Sequence, residues 1–138
     1  MRAYRIAAIP GDGIGKEVIP AGVEVLTRLS RMTNDFRLDF TEFPWGSDFY
    51  RSTGALMPED GLETLKPFDA IYFGAVGDPH VPDHVTLWGL RLKISQGFDQ
   101  SANVRPTRGL PGLKSPLADC PPGKLDWTEA QITEYLTS

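Results

Sequence analysis

The chain has 138 residues, with 14 lysines and arginines against 18 aspartates and glutamates, a net charge of −4 and a hydrophobic share of 41%. That length and apolar content exclude a disordered polar tract and allow one ordinary domain with a sizeable core. The scattered basic residues argue against a nucleic-acid or membrane-surface partner, the single Cys120 excludes an internal disulfide, and no apolar run approaches the roughly 18 residues of a membrane span.

Tyr4–Ile9 is a short apolar run closed by Pro10-Gly11-Asp12-Gly13, which predicts a strand buried on both faces, as in a parallel sheet. It is also too short for the core of a signal peptide, so a cytoplasmic location is expected. Val18, Ile19, Gly22, Val25, Leu26 and Leu29 then recur at helical spacing and predict a helix over 16–31 with that face inward. Gly22 would let a neighbouring element approach closely, and Pro20 is compatible with the helix only near its start or at a kink.

Phe36–Thr41 alternates apolar and polar residues, the pattern of a half-buried strand, and Phe43-Pro44-Trp45-Gly46 ends it. A second helix is predicted over 58–66, with Pro58 at its first position, Leu62 and Leu65 inward and Pro67 as its stop. Asp69–Gly74 reads as another buried strand. A third helix is predicted from Asp83 as cap to Gly97, carrying Val85, Trp88 and Leu92 on one face. Pro106 biases 101–107 towards extended chain. The stretch 110–123 is loop-like, and 126–136 reads as a short helix with a Thr128/Gln131 capping box. Strands alternating with helices predict an α/β layer fold.

Several segments could carry chemistry. Gly11-Asp12-Gly13-Ile14-Gly15 lies between a strand and a helix, where backbone amides can approach an anion, but its G-x-G-x-G spacing is not that of a dinucleotide fingerprint. Gly74-Ala75-Val76-Gly77 ends a predicted parallel strand, the edge at which α/β sheets bind ligands. A tight turn with no ligand is the competing reading of both. His80 and His84 stand four apart, yet Pro79 and Pro82 interrupt the helix that a shared metal site would need, which favours a solvated loop. Arg105, in Asn103-Val104-Arg105-Pro106, could hold a carboxylate through two parallel hydrogen bonds; Arg91, Lys93 and Arg108 are ambiguous surface charges, and Cys120 reads as a bystander thiol. Asp12, Glu17 and Asp78 are carboxylates that nothing in the sequence assembles into a metal site.

Taken in order, GDGIGKEV after a buried strand, MPEDGLETLKPFDAIYFGAVGDP and FDQSANVRP resemble the N-terminal part of the β-decarboxylating dehydrogenases, the family of isocitrate, 3-isopropylmalate, tartrate and D-malate dehydrogenases. VPDHVTLWG is most similar to the tartrate/D-malate branch. The resemblance runs from Met1 to about Trp127. It implies the N-terminal part of a two-domain isocitrate/isopropylmalate dehydrogenase-like α/β fold with an incomplete sheet, distinct from the standard Rossmann fold. Residues 1–99 would begin the large domain and 100–127 the second, with 128–138 a divergent tail. It further implies NAD-dependent oxidative decarboxylation of a malate- or tartrate-type hydroxy diacid with Mg or Mn, and a homodimer. The metal ligands and the acid–base residues of the family have no counterpart in this chain.

Residue by residue, the resemblance assigns Arg105 to the substrate-binding arginine of the N-[LVI]-R-P motif, and Gly74, Ala75, Val76 and Gly77 to the wall of the cofactor and substrate cleft. The family's other arginine falls at Ser95, with Arg91 in the nearest Leu-Arg pair, and its usual aromatic before the Asn segment falls at Ser101. The chain alone is then expected to lack turnover and to leave apolar faces uncovered. The alternatives are a non-catalytic fragment or regulatory relic that binds a full-length paralogue, and an anion- or nucleotide-binding module built on the glycine turn.

Overall fold

The computed structural model describes residues 2–104. The chain divides after Asp99 into two units, Met1–Asp99 and Gln100–Ser138. In the second, residues 100–104 carry no helix or strand and are exposed. Arg105, Arg108, Cys120 and the loop and short helix expected beyond them lie outside the described residues, as does most of the extended stretch expected over 101–107.

The first unit is a βαβ arrangement extended on one side. Strand β1 (Arg2–Gly11) runs into helix α1 (Gly15–Thr33), which returns the chain to strand β2 (Phe36–Glu42). Two short helices, α2 (Ser47–Thr53) and α3 (Gly61–Leu65), lead to strand β3 (Ala70–Ala75). The three strands are parallel in the order β2-β1-β3, with Ile6 beside Phe40 on one side and Ala70 on the other. The central strand β1 is buried over Ala7–Gly11, so of the expected run Ala7–Ile9 is buried while Tyr4 and Ile6 are half-buried and Arg5 is exposed. β2 alternates half-buried Phe36, Leu38 and Phe40 with exposed polar residues. β3 departs from the expectation of a fully buried strand. It is the outer strand of this sheet among the described residues, and its positions from Ile71 to Ala75 are only half-buried.

A continuous helical stretch follows, made of α4 (Asp83–Thr86), a π-helical segment (Leu87–Leu92) and α5 (Lys93–Gly97). Of the expected inward face, Val85 packs partly buried against the core and Leu92 is half-buried, but the most deeply buried residues lie on another line. Thr86, Leu90 and Ile94 are buried, whereas Trp88 is exposed. The wider π turn has more than four residues per turn, so it advances the buried face by four residues at each step rather than by 3.6 on average. Asp83 is the first helical residue rather than the cap, which is Pro82.

The core lies on one face of the sheet. Ala7 and Ile9 of β1 meet Trp45, Leu56, Met57, Leu65, Leu90 and Ile94 there, and the Phe43 ring packs against Trp45 at 4.7 Å and edge-on to Phe68 at 5.5 Å. α1 covers the other face. Gly22 is what permits this, since a Cβ at that position would stand 1.9 Å from the Tyr72 hydroxyl. The helix is anchored at its far end by the Ser30 hydroxyl, which donates to the Phe36 carbonyl at 2.6 Å. It runs through Pro20, giving up one helical hydrogen bond, and ends at Asn34 in the left-handed conformation (φ 55°). Its inward face is narrower than the spacing implied: Ile19 is buried and Leu26 half-buried, while Ile14, Val18, Val25, Leu29 and Met32 form an exposed apolar stripe.

Candidate functional site

In a sheet ordered β2-β1-β3 the chain changes direction beside β1: one connection leaves to β2 and the later strand is added on the opposite side. The loops after β1 and β3 therefore part company at their carboxyl ends, and α/β proteins bind ligands at such a point. Both glycine segments singled out in the sequence lie there.

Asp12 joins the two loops. It is 2% exposed, and its amide donates to the Ala75 carbonyl at 2.8 Å. Its carboxylate accepts from the Ser47 amide at 2.7 Å through Oδ1, and from the Ser47 hydroxyl at 2.8 Å and the Gly77 amide at 3.0 Å through Oδ2. Burying a carboxylate is costly unless its lone pairs are satisfied, and these three donors satisfy them. Gly74 packs against β1: a Cβ there would lie 2.2 Å from the Pro10 carbonyl oxygen. Gly77 adopts φ 141°, which allows the loop to turn away after Val76.

Beyond Gly77 the loop is tied again. The Arg51 guanidinium donates through Nη1 to Asp78 Oδ2 at 2.8 Å and also binds Asp48, which in turn pairs with Lys16. The Lys16 ammonium, followed by the Arg51 guanidinium, holds the Asp48 carboxyl below the ordinary carboxylate range. For Asp78 the His80 amide contributes most to the same downward shift, followed by Arg51. The matching contacts with Asp78 and then Asp48 raise Arg51 above its ordinary value. Lys16, Asp48 and Arg51 are exposed and screened by solvent, so their effect on stability is modest, while Asp78 is the more buried partner.

α2 supplies both Ser47 and Arg51, and the sequence reading missed it. It has only seven residues, too few for periodicity, and its one local signal is Ser47-Asp48 followed by Gly54 in the left-handed C-cap. Beside it a cleft of about 170 Å³ is lined by Pro10, Gly11, Lys16, Glu42, Trp45 and Asp48 among others. That is well below the roughly 300 Å³ at which small-molecule pockets begin.

Of the expected site residues, Gly74, Ala75, Val76 and Gly77 stand together at the carboxyl edge of β3. Arg91 is exposed at the end of the π-helical segment with no ion-pair partner among the described residues, four residues before Ser95. Asp12 and Asp78 are committed to hydrogen-bond donors. No group of three or more His, Cys, Asp or Glu side chains among the described residues could hold a metal ion, and His80 and His84 are both exposed. No helix of the described residues is long and apolar enough to cross a membrane.

A profile of the isocitrate/isopropylmalate dehydrogenase family matches residues 5–127. The chain belongs to that family. It is 64% identical over 127 residues to a probable tartrate dehydrogenase/decarboxylase of Agrobacterium vitis, covering 92% of this chain and 36% of that protein. Against the decarboxylating D-malate dehydrogenase of Escherichia coli the identity is 51% over 129 residues, again 92% of this chain and 36% of the relative. Among solved structures, the apo form of a β-decarboxylating dehydrogenase from Thermococcus kodakarensis superposes with a TM-score of 0.51 at 34% identity, over 70% of this chain and 27% of that one. The α/β unit described above thus has the fold of the N-terminal portion of the family, and the chain spans about a third of the length of these curated relatives.

Proposed function

We propose that this chain supplies the N-terminal part of an enzyme that oxidises and decarboxylates a malate- or tartrate-type 2-hydroxy diacid with NAD. The observation that carries the reading is the identity of 64% to a tartrate dehydrogenase/decarboxylase, together with 51% to a D-malate dehydrogenase, sustained over 92% of the chain.

The part played by these residues is positional. When bound, the dinucleotide supplies a hydride acceptor. The loop from Gly74 to Gly77 would form part of the wall against which nicotinamide and substrate lie, and Arg105 would clamp one carboxylate of the diacid with a planar pair of hydrogen bonds. Arg91, exposed and without an ion-pair partner among the described residues, would serve the second carboxylate in place of the arginine absent at Ser95. The described residues furnish no cluster for the divalent ion. The 138-residue chain by itself is expected to produce no NADH, because it spans only about a third of the length of these relatives.

A chimera tests this reading: residues 1–127 replace the corresponding N-terminal third of the Escherichia coli D-malate dehydrogenase. A folded chimera is expected to reduce NAD with D-malate or tartrate, and to lose at least ten-fold in kcat/KM when Arg105 is changed to Gln. A monodisperse, cooperatively melting chimera that is silent with every 2-hydroxy diacid would contradict it.

A further inference from the structure

We propose that Asp12 is the positioning residue of this crevice, its buried carboxylate fixing the backbone of Val76 and Gly77 on the ligand side of the sheet. The inference rests on the reading that this edge faces the dinucleotide or the diacid, and it adds a residue to which that reading gives no role.

The argument is geometric. Residue 12 grips the loop after β3 at two points with opposite polarity, its own amide giving to the Ala75 carbonyl and its carboxylate receiving the Gly77 amide. Val76 is held between those points. The same carboxylate accepts from the Ser47 amide through Oδ1 and from the Ser47 hydroxyl through Oδ2, so α2 backs the grip. With the Gly77 amide committed to Asp12, it is not available to a ligand. Its contribution is to the shape of the loop, and the shape is set from a residue in the other loop. A carboxylate is needed for this. It can accept at both oxygens, whereas a side-chain amide at the same place would turn a donor towards the amide of either Ser47 or Gly77 and leave that N–H unmet.

The test uses the full chain, isotopically labelled, in three arms. In the wild type, a scalar coupling across the hydrogen bond between the Gly77 amide nitrogen and the Asp12 carboxylate carbon is expected; its absence would overturn the proposal without any mutation. In Asp12→Asn, amide exchange at Gly77 or Ser47 is expected to rise at least ten-fold over that of the β1–β2 ladder, while Ser47→Ala, which keeps the carboxylate and both backbone donors, leaves Gly77 within about three-fold of wild type. Equal protection of Gly77 and Ser47 in wild type and Asp12→Asn would overturn it. In the third arm NAD is titrated in. If the wild type binds, Asp12→Asn should bind at least ten-fold more weakly, and unchanged affinity with a loosened loop would overturn the positioning role. If the wild type does not bind NAD, the reading of the crevice as a cofactor wall fails, and the first two arms still decide whether Asp12 sets the loop.

Discussion

Single residues settle the close contacts. Gly22→Ala would drive a methyl group into the Tyr72 hydroxyl, which stands 1.9 Å from the position of the new atom. Because the tyrosine ring is stiff and half-buried, the helix or strand must shift, and a loss of about 1–3 kcal/mol is expected by urea denaturation. Leu90→Ala removes a fully buried side chain from the core and should cost about 2–5 kcal/mol, whereas Trp88→Ala, at an exposed position of the same helical stretch, should cost far less. The ion pairs around Arg51 predict an acid-side effect. Asp48 and Asp78 both lie below the usual carboxylate range, so what they contribute is fully present above about pH 4 and disappears as pH falls through their lowered values. Arg51→Met should flatten the loss of stability below that pH only in part, because Asp78 keeps the His80 amide and Asp48 keeps Lys16. Added salt should shrink the difference between the two proteins.

At the scale of elements, the existence of the strands and of helix α1 was legible from hydrophobic spacing, although the face α1 turns inward was not, since Val18, Val25 and Leu29 are exposed. Tyr4–Ile9, Phe36–Thr41 and the helix through Val25 were all readable from hydrophobic spacing. α2 was not, since seven residues with two aromatic positions carry no period, and its importance comes from what it touches: Asp12 through Ser47 and Asp78 through Arg51. The face of the stretch from Asp83 to Gly97 held at Val85 but not at Trp88, because a π-helical segment changes the period after Thr86. The site was legible only in part. The two glycine segments marked its place, but the bond that joins them links residues 65 positions apart. Helix α1 ends at Thr33, two residues beyond the expected 31, with Asn34 after it in the left-handed conformation. Asn34→Ala should therefore cost about 1 kcal/mol and Asn34→Gly close to nothing, as read from the shift of the urea midpoint.

For the molecule as a whole, the consequential feature is the apolar stripe on α1. Val25 is 65% and Met32 80% exposed, and Ile14, Val18 and Leu29 continue the line along the same side of the helix. Contiguous apolar surface of this kind drives association. The purified 138-residue chain should accordingly bind a hydrophobic reporter dye and self-associate as concentration rises. Val25→Lys combined with Leu29→Gln should reduce both while leaving the far-ultraviolet spectrum unchanged; a monodisperse wild-type chain that ignores the dye would refute this. Outward position also explains why β3 is half-buried although its sequence is as apolar as that of β1: among the described residues it has a strand partner on one side only.

The central claim is that the crevice between the carboxyl ends of β1 and β3 is where the family's ligands meet this part of the chain. Hydrogen exchange of the D-malate dehydrogenase chimera, followed by mass spectrometry with and without NAD and D-malate, tests it most directly. The account predicts protection in peptides covering residues 11–15 and 74–78, with none at 34–38 on the opposite end of the sheet. Ligand-dependent protection confined to that opposite end, or absent from both glycine segments in a chimera that turns over, would contradict it.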